Sequence, residues 1–192
     1  MKGRICFPGN PWPEGHEIRD FRWSAERRGK NIWFSFHLVS ADYYEERDIV
    51  DDENVEYQSD WMAPIVWGNY HSCTISSDAW HNGGFSACAA AEYSVPRIDG
   101  TRFHIDPLPC DLSDSYETRA FHVYLLGHDA VADHHLQFAR TSETDLFKII
   151  WEGKIALAYA GDYDPKYRFV AEIDDVPFPI VDAVPTGLTL VP

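Results

Sequence analysis

The sequence lacks the cysteine spacings and the long apolar runs that identify several protein classes. Its four cysteines are Cys6, Cys73, Cys88 and Cys110, and no two form a C-x-x-C pair, which argues against a thioredoxin-like or zinc-knuckle site. Each lies among apolar or small residues, so we expect reduced, mostly buried thiols.

No apolar run approaches the roughly 18 residues of a membrane-spanning helix, and the N-terminus lacks the apolar region of a secretory signal. We therefore expect no membrane partner and a cytoplasmic location.

Recognisable catalytic motifs are also missing. There is no G-x-G-x-x-G, no phosphate-binding P-loop and no G-x-S-x-G, so nucleotide binding and α/β-hydrolase chemistry have no support. Pairs of carboxylates, as used in glycoside hydrolysis, carry no specificity here, because the chain contains 31 Asp and Glu residues. The sequence leaves catalysis open but favours a non-enzymatic protein without a cofactor.

Basic residues are scarce beyond the first thirty positions. Residues 31–192 contain 27 acidic and 9 basic residues, which gives most of the chain a net charge of −18 and the whole chain −15. The densest stretch is residues 42–60, with nine acids and a single arginine. Such a field repels nucleic acid and anionic membranes and attracts cationic partners. We therefore predict a basic protein as partner and no nucleic acid.

This acidic segment, residues 42–60, supplies the first set of candidate site residues. Its carboxylates would steer the partner, and its tyrosines would act as aromatic anchors. In composition the chain is similar to bacterial immunity proteins and antitoxins, and this similarity implies inhibition of a cationic nuclease or deaminase. A solvated loop that only raises solubility is the alternative interpretation of the segment. The predicted partner-binding residues are Asp42, Tyr43, Tyr44, Glu45, Glu46, Asp48, Asp51, Asp52, Glu53, Glu56 and Tyr57.

Aromatic residues are abundant, and the dominant hydrophobic period is two. The chain has 7 Trp, 10 Tyr and 11 Phe, enough to build a core. In residues 31–39, Ile32, Phe34, Phe36 and Leu38 share one face of the chain, as in a half-buried strand. With similar stretches elsewhere, the sequence contains about ten such strands. We predict an all-β fold, a single-domain antiparallel β-sandwich of jelly-roll type with little helix, spanning residues 1–192.

One apolar stretch, residues 146–159, is predicted to form the central β-hairpin of this sandwich. Glu152 and Gly153 would make its two-residue turn, because glycine supplies the positive φ that such turns need. Both arms are nearly continuous apolar runs, as expected for a sheet covered on both faces.

A second candidate site is a stretch of aromatic and polar residues between positions 67 and 85. Stacking rings together with amide and carboxylate groups could bind a sugar, so a carbohydrate-binding or carbohydrate-active protein is the alternative function. A pair of core strands with a polar turn would explain the same pattern. The candidate ligand-binding residues are Trp67, Asn69, Tyr70, His71 and Trp80.

A third candidate site is the histidine-rich stretch at residues 127–135. Imidazole and carboxylate groups are ligands for divalent transition metals, and a loop between strands could bring them together. No standard metal-binding spacing is present, and a solvated loop is the preferred explanation of these residues. The candidate metal ligands are His128, Asp129, Asp133, His134 and His135.

Overall fold

The computed structural model describes residues 2–45, 56–113, 116–141 and 145–182, and within these the chain is mostly β. The two α-helices, α1 (Pro64–Gly68) and α2 (Val95–Ile98), are single turns, and neither is long or apolar enough to cross a membrane. The strands are β1 (Lys2–Cys6), β2 (His16–Arg28), β3 (Asn31–Ser40), β4 (Thr74–Ser76), β5 (Phe85–Ala89), β6 (Arg102–Ile105), β7 (His122–Tyr124), β8 (His128–Arg140), β9 (Leu146–Ala156), β10 (Tyr167–Pro177) and β11 (Val181–Asp182). Short 3-10 turns cover Asp60–Met62, Ala90–Glu92, Tyr116–Thr118 and Ala158–Ala160.

Eight of these strands close into an antiparallel β-barrel, in the order β2-β1-β10-β9-β8-β7-β4-β3 and back to β2. The other three strands lie outside this ring. β5 pairs with β3 and β6 pairs with β8, both antiparallel, and β11 pairs in parallel with β2. The prediction of a mostly antiparallel β protein with little helix is confirmed, but the sandwich is wrong.

The difference comes from two short pairings that join what would otherwise be separate sheets. The first, between β1 and β2, places Ile5 opposite His16. The second, between β7 and β8, places Val123 opposite Asp129. Alternation of apolar and polar residues distinguishes the two faces of a strand, and it is the same for a closed barrel and for a sandwich. It therefore could not predict closure.

The interior of the barrel is filled by aromatic side chains. The four apolar residues that alternate along β3 are all fully or almost fully buried, as their pattern predicts. The ring of Phe36 lies 6.1 Å from that of Phe121 and 5.7 Å from that of Trp151. An eight-stranded barrel is just wide enough for side chains to fill it, so this one is a packed core.

The predicted hairpin at residues 146–159 is wrong, because β9 continues through its supposed turn. Gly153 lies inside the strand, paired with Phe169 of β10. A Cβ atom at this position would lie 2.6 Å from Cε1 of Phe169 and 2.7 Å from Nδ1 of His134. Glycine is therefore required here by close packing, whereas the sequence interpretation assigned it to a turn.

The cysteines are free thiols. Cys73 is buried, and Cys6, Cys88 and Cys110 are partly buried. Burial raises the pKa of all four thiols, and most strongly that of Cys73. These thiols are accordingly packed as small apolar side chains rather than poised as nucleophiles.

Candidate functional sites

Much of the acidic segment lies outside the described residues. This applies to Glu46, Asp48, Asp51, Asp52 and Glu53. Of the remaining predicted acids, Glu45 and Glu56 are exposed and Asp42 is partly buried. Glu45 forms an ion pair with Arg19 of β2, and Oδ1 of Asp42 accepts a hydrogen bond from the Tyr44 amide at 2.9 Å.

The first tyrosine of the segment is part of the core and does not serve as an exposed anchor. Tyr43 has no exposed surface, and its hydroxyl donates a hydrogen bond to the Leu125 carbonyl at 3.1 Å. The hydroxyl of the partly buried Tyr44 donates to the Pro64 carbonyl at 3.1 Å, and Tyr57 is also partly buried. An aromatic residue within an acidic run has no sequence signal that separates these two roles, so Tyr43 was misassigned.

The other end of the segment is fixed by a single tryptophan, Trp61. Trp61 is buried, its indole nitrogen donates to the Pro8 carbonyl at 3.0 Å, and its ring stacks on Tyr167 at 4.3 Å. Beside it, a carboxylate oxygen of Asp60 accepts a hydrogen bond from the Tyr159 hydroxyl at 2.8 Å. The residues on both sides of positions 46–55 are thus attached to the barrel.

The predicted carbohydrate site does not form a common surface. Trp67 has no exposed surface and packs against the rings of Phe7, Tyr43 and Trp61, so it cannot stack on a ligand. Tyr70 and Trp80 are partly buried, and only Asn69 and His71 of this set are exposed. The ring of Trp80 contacts His122 edge-on at 4.7 Å. The sugar interpretation therefore loses the stacking platform on which it depended.

The histidine-rich stretch lies mostly within β8 and is not a loop, so its side chains are divided between the two faces of the barrel wall. His134 is completely buried, and its Nδ1 accepts a hydrogen bond from the indole nitrogen of Trp151 at 3.2 Å. Asp129 is also buried, which raises the pKa of its carboxyl to about 6. His128 is exposed, and its Nδ1 lies 3.0 Å from Nε2 of His122. The predicted five-ligand set is therefore wrong.

Two members of that set, Asp133 and His135, do come together, and a third residue joins them. His104 of β6 lies directly opposite His135 of β8, and the two imidazole rings stack at 4.3 Å with an angle of 14°. Nε2 of His104 is 2.7 Å from Oδ1 of Asp133, and Nε2 of His135 is 3.8 Å from the same oxygen. The hydrogen bond from His104 lowers the pKa of the Asp133 carboxyl.

A β-bulge places the aspartate beside the histidines. The pairing of β8 with β9 shifts register between Ala132 and His135, and Asp133 adopts a φ of 55° there. Bulges commonly redirect a side chain in this way. Sequence reasoning missed His104 because it lies 29 residues before Asp133. Correct pairing of the two strands was the only signal that could have found it.

The surroundings of this trio carry both signs of charge. Nζ of Lys154 lies 3.6 Å from Oδ2 of Asp133, and Glu152 pairs with His135 across β8 and β9. Beside them is a surface pocket of about 180 Å³, lined by Asp133, His135, Glu152, Gly153, Lys154, Arg168 and Phe169. The arrangement can hold a cation between the imidazoles and the carboxylate, provided that Lys154 moves aside.

Comparisons of the chain with protein-family models, with curated proteins and with solved structures found no match. No family is therefore assigned to the chain.

Proposed function

We propose that this chain is a non-enzymatic binding protein that engages a basic protein partner through its acidic segment. The observation that carries the proposal is the concentration of nine acids and one arginine within residues 42–60 of a chain whose net charge is −15. A local field of this sign accelerates encounter with a cationic partner, and association rates can reach about 10⁸ M⁻¹s⁻¹ or more at low salt.

The packed interior supports a function on the surface. Phe36, Phe121, Phe138 and Trp151 are almost completely buried inside the barrel and contact one another. A small molecule could enter only by displacing these rings, at a cost of several kcal/mol for each large side chain that loses its packing. Barrels that carry a ligand in the interior leave space for it, and this one is filled.

The attachment of the segment supports a role beyond solubility. Tyr43 on one side and Trp61 on the other are buried and hydrogen-bonded to the barrel. Asp42 and Asp60, which adjoin these residues, are therefore attached to the barrel before a partner arrives, which reduces the ordering that binding to them requires.

The finer proposal is an immunity-type inhibitor of a cationic enzyme. Nucleases and deaminases that act on nucleic acid carry basic surfaces to bind phosphate. An acidic segment can occupy such a surface and compete with the nucleic acid for the same lysines and arginines. The anionic character of the segment, rather than any catalytic group, would then be the active property.

The test compares two quadruple variants that each remove four negative charges. The first changes the segment: Asp48→Asn, Asp51→Asn, Asp52→Asn and Glu53→Gln. The matched control changes four exposed acids elsewhere: Glu14→Gln, Glu92→Gln, Asp164→Asn and Asp175→Asn. Each tagged protein is used to capture partners from the native host, and the captured proteins are identified by mass spectrometry.

We expect the parent and the control to capture the same basic protein, and the segment variant to lose it. With that protein purified, its association rate with the parent should fall steeply as NaCl is raised. The proposal is wrong if the segment variant captures the partner as well as the control does, or if the partner is not basic.

A further inference from the structure

We infer that His104, Asp133 and His135 form a binding site for a divalent transition-metal ion, for which zinc is the best fit. The site lies on the outer face of β6 and β8, uses none of the residues of the acidic segment, and does not depend on the proposed partner. The ligating atoms of the three residues all lie within 4.8 Å of one another.

The donor set suits zinc chemically and geometrically. Two imidazole nitrogens and one carboxylate oxygen form a mixed nitrogen and oxygen set of the type that binds Zn²⁺ with one position left open. Tetrahedral coordination with bonds of about 2.0–2.2 Å places neighbouring ligand atoms about 3.3–3.6 Å apart. The two separations from Oδ1 of Asp133, 2.7 Å to His104 and 3.8 Å to His135, lie on either side of that range. Because the two rings stack at only 14° to each other, binding also requires the imidazoles to tilt until both Nε2 atoms face one ion.

The backbone holds the three ligands in place before any ion arrives. His104 and His135 are paired in register, between the pairs formed by Phe103 with Leu136 and by Ile105 with His134. The bulge that carries Asp133 is fixed by a hydrogen bond from its amide to the Asp106 carbonyl, at 2.8 Å. A site on paired strands needs little ordering on binding, which favours affinity.

The two imidazoles are open to solvent. The side chains of His104 and His135 are 48% and 52% exposed. An ion can therefore reach the site without opening the barrel. Glu152, which lies opposite His135 on β9, or a water molecule could complete the coordination from the adjoining pocket.

Lys154 competes with a bound ion for the same carboxylate. Its ammonium group, 3.6 Å from Asp133, repels a divalent cation and would have to turn away. This competition distinguishes a metal site from a purely structural cluster of His, Asp and Lys. If the site binds metal, removal of the ammonium group should strengthen binding, whereas a purely structural cluster would bind no metal in either form.

The experiment measures zinc binding to the untagged 192-residue chain after treatment with chelator. Isothermal titration with Zn²⁺ gives stoichiometry and affinity, and the visible spectrum of added Co²⁺ reports the coordination geometry. The ligand variants are His104→Ala, His135→Ala and Asp133→Asn, the last chosen because asparagine tolerates the positive φ. The matched control is His81→Asn, which removes an exposed histidine that also has a positive φ. Thermal melts verify that each variant is folded.

We expect one zinc ion per chain, with affinity about tenfold weaker or more in each ligand variant, because even residues that only support a ligand change affinity by that factor. Binding should be unchanged in His81→Asn and several-fold tighter in Lys154→Gln. The inference is overturned if the folded parent shows no saturable zinc binding. It is equally overturned if the ligand variants bind zinc as the control does, or if Lys154→Gln binds no better than the parent.

Discussion

Replacing Gly153 tests whether β9 is continuous, and the structure gives the size of the effect. The Cβ of an alanine would lie 2.6 Å from Phe169 and 2.7 Å from His134, both completely buried, so neither neighbour can move aside freely. Overpacking of this kind costs about 1–3 kcal/mol. For a chain of this size, that lowers the melting temperature by about 2–4 °C per kcal/mol. The larger, polar side chain in Gly153→Asn should cost more than alanine.

The asparagine variant separates the two interpretations of Gly153. A hairpin turn would accept asparagine, since that residue tolerates a positive φ. The control is Gly161→Asn, where φ is 76° and no described atom lies within 4 Å of the place that a Cβ atom would occupy, so only the left-handed backbone should cost stability, by no more than about 1 kcal/mol. Both variants are measured by thermal and urea unfolding, followed by circular dichroism. If Gly153→Asn melted within a degree or two of the parent, the continuous strand would be refuted.

Two further predictions concern stability. Tyr43→Phe leaves the buried Leu125 carbonyl without its donor and should lower the free energy of unfolding by about 1–3 kcal/mol; an unchanged urea midpoint would contradict the anchoring role of Tyr43. The second concerns pH. Burial lowers the pKa of His122 to about 4, below its unfolded value of about 6.5, so its contribution to stability is lost as pH falls below that unfolded value, by up to about 1.4 kcal/mol per pH unit. The Asp129 carboxyl, whose folded pKa is raised to about 6, acts in the opposite direction and gains stability as pH falls from 6 towards 4. Asp129→Asn should therefore steepen the acid-side loss in urea midpoints measured between pH 7 and 4, and an unchanged slope would refute this assignment.

The strands could be predicted from the sequence because their burial alternates. The pattern in β3 is the clearest case, with Phe34 and Phe36 inside and Trp33 and Ser35 more exposed. Closure of the barrel could not be predicted, since it depends on pairings of only a few residues, such as Ile5 with His16. Tertiary packing also explains the error at Gly153, because a glycine forced by a neighbouring ring looks the same in sequence as one forced by a turn.

The candidate metal site was partly predictable. Asp133 and His135 stand out in sequence as part of a histidine-rich stretch, but the strand directs His134 inwards and separates it from them. The missing ligand, His104, comes from another strand and depends on the register of β6 with β8. The aromatic residues Tyr43 and Trp67 failed as surface candidates for a related reason, since burial is decided by packing and not by polar neighbours in the chain.

Ionic strength separates the two proposals, which both involve attraction of cations to an acidic chain. Long-range steering of a basic partner is screened over about 8 Å at physiological salt, so that association should weaken as NaCl rises. A zinc ion bonded directly to His104, His135 and Asp133 is held at about 2 Å, where screening by salt has little effect. The affinity for the partner should therefore depend on the acids of the segment and on the salt concentration, whereas the affinity for zinc should depend on His104. If zinc were instead released by salt, and lost in the segment variant but kept in His104→Ala, the diffuse acidic field would be capturing the ion and the three-residue site would be wrong.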